Sequence, residues 1–273
     1  MPENLSTKTI IVLSPSDFSL YTLSIIVSLR RAGVQVAGVG LRRLINPSRL
    51  LFEGRRDGVR LLKKIWNKLL RRNQIYQNSG KETISQFLKE NNIPLERVSA
   101  VCKREGIPVR YCYDFNQEDF VDWVRVLNAD AVLFTGGGLV RQPLLDATPN
   151  GILNCHMGIL PGYRGMDLPE WAILNGELEQ VGCTVHIMNA GVDTGPILRI
   201  YPVALRHGEN IRQLRDRIEY LMCSVMVITA IDYVKGRIEA KPQAVADGKQ
   251  FFVMTPTLID VVEARLDRLG VRQ

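Results

Sequence analysis

The chain has 273 residues, 46% hydrophobic and 23% charged, an ordinary balance for a globular protein with a large core. It contains no run of about 18 apolar residues, which excludes an ordinary transmembrane helix. Its net charge of +7 is local: Leu41 to Arg72 hold eleven Lys or Arg against Glu53 and Asp57, so that segment carries +9 and the remaining residues −2.

In chain order, Ile10 to Leu13 reads as a buried strand closed by Ser14-Pro15-Ser16. Leu20 to Arg31 has helical spacing and stops before Gly33, a residue suited to a helix C-terminus. Val34 to Val39 is a second strand, giving a parallel strand–helix–strand start. In the basic segment, Leu61, Leu62, Ile65, Trp66, Leu69 and Leu70 form one apolar helical stripe, with Lys63, Lys64, Lys68, Arg71 and Arg72 elsewhere on the same helix. That pattern fits a helix packed on the domain, peripheral membrane contact through residues 61–72, or an anionic partner such as nucleic acid.

Lys81 to Glu90 and Leu95 to Arg104 predict helices, Val109 to Cys112 a strand and Glu118 to Leu127 a helix capped near Asn116 or Gln117. Ala131 to Phe134 is a strand ended by Gly136-Gly137-Gly138, and Gly151 to Cys155 is a strand that delivers His156. Thr184 to Met188 and Ile197 to Val203 predict two further strands. Asn210 caps a long helix to about Val234. The tail carries an apolar run, Phe251 to Met254, and a helix from Leu258 to Leu269. Alternating strands and helices predict an α/β fold with a mostly parallel sheet flanked by helices, whose ligands sit beyond the C-terminal strand ends.

Met1 to Ile10 lacks the layout of a secretory leader, so a cytoplasmic location is expected. Five cysteines without paired spacing argue against a disulfide framework; without a CxxC, and with three histidines far apart, no metal is expected.

Three local features bear on chemistry. Asn154 and His156, two apart on a strand, face one side, where an amide and an imidazole can meet a developing oxyanion. Asn-x-His alone reads first as a strand-end Asn bound to backbone and a His packed under a loop. Asp193 lies in Asn189-Ala190-Gly191-Val192-Asp193-Thr194-Gly195-Pro196, where it could orient an imidazole or serve as a plain turn residue. The glycine triplet with Leu139 and Val140 lets a flat ligand approach backbone, or simply turns the chain.

The run Asn154 to Gly165, then Trp171 to Gly176, Gly182-Cys183-Thr184-Val185-His186 and Gly191 to Leu198, in this order and spacing, closely resembles the folate-dependent formyltransferases. That family includes glycinamide ribonucleotide, methionyl-tRNA and sugar N-formyltransferases. The resemblance implies a Rossmann-like formyltransferase fold, N10-formyltetrahydrofolate as co-substrate and transfer of its formyl group to a primary amine. It assigns catalysis to Asn154, His156 and Asp193, and folate contacts to Gly137, Gly138, Leu139 and Val140 and to Asn189, Ala190, Gly191 and Val192. The triplet departs from relatives with larger side chains there. Residues 1–235 are expected to form the catalytic domain, with a basic helical insertion at about 41–104, and 236–273 a short extension packed on it.

The expected acceptor is a nucleotide-linked amino sugar; glycinamide ribonucleotide and hydroxyornithine are alternatives. Because Gly236 to Gln273 is too short for the C-terminal barrel of transfer-RNA formyltransferases, no transfer RNA is expected as a partner. A folate-fold binding module for membrane or nucleic acid is the reading from a different class. Oligomeric state stays open.

Overall fold

The computed structural model describes residues 7–43 and 81–270. The basic stripe at 61–72 lies outside the described residues. Seven strands form the main sheet: β1 (Thr9–Ser14), β2 (Gln35–Arg42), β3 (Val109–Cys112), β4 (Ala131–Phe134), β5 (Ile152–His156), β7 (Gly182–Ile187) and β8 (Ile197–Pro202), in the order β3-β2-β1-β4-β5-β7-β8. The first five of these run parallel, whereas β7 is antiparallel to both β5 and β8. The sheet is therefore mostly parallel, as expected, with an antiparallel edge.

Both faces are covered, which is why Ile10 to Leu13 of β1 are all apolar. Ile10 and Val12 enter one core, with α1 (Leu20–Arg31) and α7 (Ile211–Val234) packed on it. Ile11 and Leu13, on the opposite face, enter a second core beneath α4 (Glu118–Leu127). Burying each such side chain fully stabilises the fold by about 1.5–3 kcal/mol. Ser19 caps α1 by accepting from the Thr22 N–H at 3.2 Å, and Asn210 with Gln213 makes a reciprocal capping box on α7. Ser14, Thr22 and Thr135 join hydroxyls at 2.9 and 2.7 Å, tying the C-terminal ends of β1 and β4 together beneath the site.

Several elements differ from expectation. The predicted helices at 81–90 and 95–104 are shorter, α2 (Ile84–Glu90) and α3 (Val98–Arg104), the first capped by Thr83. Two short helices, α5 (Gln142–Asp146) and α6 (Leu168–Asn175), join the set. A second sheet pairs β6 (Tyr163–Gly165) in parallel with β9 (Lys249–Phe251). The tail run at Phe251 to Met254 is only partly inward. Phe251 stacks on Tyr163 with ring centroids 4.7 Å apart, while Phe252 and Val253 are exposed. The final helix, α8 (Pro256–Gly270), packs against α6.

Candidate active site

The site forms where β5 ends. Asn154 and His156 share one face of that strand, and β5 register places Asn154 between Phe134 of β4 and His186 of β7. Cys155 points the other way, into the core with Cys183, and burial pushes its thiol well above the ordinary range. The loop from β7 to β8 then brings Asp193 over the pair. Asp193 sits at φ +52, left-handed backbone that is uncommon for a residue with a side chain. Its Oδ2 accepts from the Gly165 N–H of β6 at 3.0 Å and lies 3.5 Å from His156 Nδ1.

His156 is 6% exposed, and its other nitrogen, Nε2, lies 3.0 Å from the Tyr163 carbonyl. Both ring nitrogens thus face acceptors, and an imidazolium satisfies both at once. Burial opposes that charge and pulls the His156 pKa below its ordinary value; Asp193 offsets part of the effect, and His186 adds to the lowering. Burial raises the Asp193 carboxyl, but His186, His156 and the Gly165 N–H outweigh it and hold it below its ordinary value.

His186 is the residue that sequence reading leaves out of the site. Its Nδ1 is 3.1 Å from the Ile187 carbonyl, and its Nε2 stands 3.2 Å from Asn154 Nδ2 and 3.6 Å from Asp193 Oδ1. With the proton on Nδ1 the ring accepts from Asn154; with Nε2 protonated it faces Asp193 as a donor. The ring links the amide to the carboxylate. Its local signal was the Val185-His186 end of the third quoted motif; only the cross-strand register with Asn154 gives it a place.

The two loops assigned to folate flank this cluster. Gly136, Gly137 and Gly138 all adopt φ between +112 and +114, which explains why three glycines follow β4. Asn116 pins the continuation, donating to the Leu139 carbonyl at 2.8 Å and accepting from the Arg141 N–H at 2.7 Å, while the Leu139 side chain is 72% exposed. Asn189 Oδ1 accepts from the Gly191 N–H and the Thr194 hydroxyl, shaping the Asp193 loop, and Val192 is exposed on it. On the other side of Asn154 a cavity of about 620 Å³ opens, lined among others by Tyr21, Thr135, Arg212, Asp216 and Glu219. Tyr21 Oη is buried there beside the Cys155 thiol, and burial raises the Glu219 carboxyl. Among the described residues no group of three or more His, Cys, Asp or Glu is arranged to hold a metal ion.

An amide, an imidazole and a carboxylate, two flanking loops and an open cavity fit group transfer between two ligands. Comparison with known proteins agrees. A family model described as formyl transferase matches residues 74–230. The methionyl-tRNA formyltransferase of Pelobacter propionicus is 35% identical over 147 residues, 54% of this chain and 46% of its own length. That of Finegoldia magna is 31% identical over 169 residues, 59% and 54% of the two chains. The chain thus spans about half the length of these curated relatives. Among solved structures, glycinamide ribonucleotide transformylase 1 from Symbiobacterium toebii superposes with a TM-score of 0.57 at 21% identity, covering 87% of this chain and 94% of its own. A 4-N formyltransferase from Francisella tularensis gives 0.56 at 14% identity, covering 96% and 88%. At these identities the two structures establish the fold.

One expectation falls here. The exclusion of transfer RNA is overturned by the relatives, which are methionyl-tRNA formyltransferases. It rested on the length of the segment after α7, whereas the similarity to these relatives covers about half of this chain.

Proposed function

Because the chain belongs to the formyl transferase family, we propose that it moves a formyl group from N10-formyltetrahydrofolate to a primary amine seated in the cavity beside Asn154. The observation that carries this reading is the convergence of Asn154, His156 and Asp193 at the end of β5, between the two loops and the cavity. The loops suit a flat heterocycle: three glycines leave backbone bare, and Leu139 and Val192 offer apolar side chains. The folate supplies the activated formyl carbon.

Asn154 Nδ2 donates to the formyl oxygen as negative charge grows on it, and His156 Nε2 exchanges the Tyr163 carbonyl for that oxygen. The amine nitrogen bonds to the formyl carbon, the bond from that carbon to the folate nitrogen breaks, and the amine's proton passes to that nitrogen. Asp193, held below the ordinary carboxylate range, stays ionised at neutral pH and receives or relays that proton. Seating both reactants in one cleft removes much of the entropic barrier.

For the acceptor, the cavity wall supports a hydroxyl-bearing amine such as a nucleotide-linked amino sugar. Glu219 and Asp216, the latter paired with Arg212 at 3.1 Å, accept hydroxyls, and Arg212 offers a cation. The identity to methionyl-tRNA formyltransferases supports a second acceptor, methionyl-tRNA. The test is folate release measured against a panel of nucleotide-linked amino sugars, glycinamide ribonucleotide, hydroxyornithine and methionyl-tRNA. Turnover with one acceptor identifies it; no formyl transfer to any of them sinks the reading.

A further inference from the structure

Asp193 is held from two directions, and only one of them comes from the residues that the family model matches. The carboxylate is bound by the Gly165 N–H. The backbone is bound from the C-terminal segment, beyond residue 230, by a single side chain. Gln243 Nε2 donates to the Asp193 carbonyl at 2.9 Å and to the Gly195 carbonyl at 2.6 Å, bracketing Thr194.

The orientation of that amide is fixed by its other end. Gln243 Oε1 accepts from Arg164 Nη2 at 3.1 Å, and a guanidinium can only donate, so the amide oxygen must face it and the NH₂ must face the loop. Arg164 is itself buried. It also donates to the carbonyls of Val245 and Ala244, each at 2.8 Å, so residues 243–245 close around its guanidinium. Its neighbour Gly165 is the residue that binds the Asp193 carboxylate. Pairing of β6 with β9 fastens the same segment a few residues on. One buried arginine therefore couples the C-terminal segment to both ends of Asp193.

We propose that Gln243 is a positioning residue: held by Arg164, it keeps the Asp193 loop in its left-handed turn and so keeps the carboxylate on His156. The catalytic consequence rests on Asp193 and His156 acting in formyl transfer; the positioning claim does not. Asp193 at φ +52 would relax if unbraced, because that backbone conformation is costly for a residue with a Cβ. A shift of the carboxylate alters what His156 faces, namely Asp193, His186 and the Tyr163 carbonyl.

The experiment compares Gln243→Glu and Gln243→Ala with the parent and with Asp193→Asn, all as the full chain. Gln243→Glu keeps size and the Arg164 contact but loses both donations to the loop. The first readout is the NMR titration of the His156 ring, which needs no substrate. Its midpoint is expected to move down in both variants, in the direction set by Asp193→Asn. The second readout is kcat against KM for the folate: kcat is expected to fall roughly tenfold to a hundredfold, as for a reacting group misplaced by about 1 Å, with KM nearly unchanged. A folded Gln243→Glu whose His156 titrates as in the parent overturns the proposal. Loss of the fold in Gln243→Glu overturns it too, since Gln243 would then be a determinant of the whole structure. If no acceptor supports turnover, the functional reading fails, and the titration still decides the positioning role.

Discussion

Replacing Asn154 by Ala separates the cost to the fold from the cost to the reaction. Asn154 is only half-buried, and its strand neighbours Leu153 and Cys155 are buried in the core, so β5 keeps its packing and its backbone pairs with β4 and β7. The side chain's hydrogen bond in the resting protein is to His186 Nε2 at 3.2 Å, and losing one such bond costs about 1 kcal/mol of stability. The reaction loses more. Removing one preorganised donor to a developing oxyanion lowers turnover by roughly a hundredfold, about 2.7 kcal/mol. Folate affinity changes little, because the charge in question exists only in the transition state. The assay is initial-rate folate release with the acceptor that the panel identifies, beside thermal melts and folate titration. Combining Asn154→Ala with Asp193→Asn should be little worse than the poorer single variant, since the groups act as one unit. A folded Asn154→Ala protein with near-parental kcat would refute the oxyanion role and move the reacting centre away from β5.

Asp193→Asn removes the group that partly offsets the lowering of the His156 pKa, so the inflection belonging to His156 should move to lower pH as kcat falls; an unmoved inflection would separate the two residues. Stability should follow the same groups: because His156 titrates below its ordinary 6.5, the unfolded chain takes the proton first, and the denaturation midpoint should decline as pH drops below about 6.5. Asp193, held below its ordinary 3.8, adds stability above that value and loses it as pH falls further through its folded pKa. His156→Gln should flatten the upper window, and a midpoint that still declined there would assign it to other groups. Gly165→Ala should cost roughly 1–3 kcal/mol in backbone strain alone, since Gly165 sits at φ +103, and its Cβ would run into the Phe251 carbonyl oxygen. An unchanged melting temperature would mean that β9 can leave β6 without loss.

What could be read in advance, and what could not, follows from the range of the interaction involved. β1, β4 and β5 were legible because each is a short apolar run between turn residues, and α7 because Asn210 announces its start. The antiparallel edge was not, since a strand buried on both faces has the same residue pattern in either direction. β6 and β9 are three residues each, and their pairing joins Tyr163 to Lys249, a partner no local window contains. The candidate site divides in the same way. Asn154 and His156 stand two apart on one strand, so period-two geometry already puts them on one face. His186 meets Asn154 only through cross-strand register, and Gln243 meets Asp193 from fifty residues further along the chain, beside Arg164. Short motifs carry the groups proposed to touch the reacting atoms. The residue that braces the Asp193 backbone is supplied by a distant segment, so a chain can keep every motif residue and still lose the arrangement when Gln243 is changed.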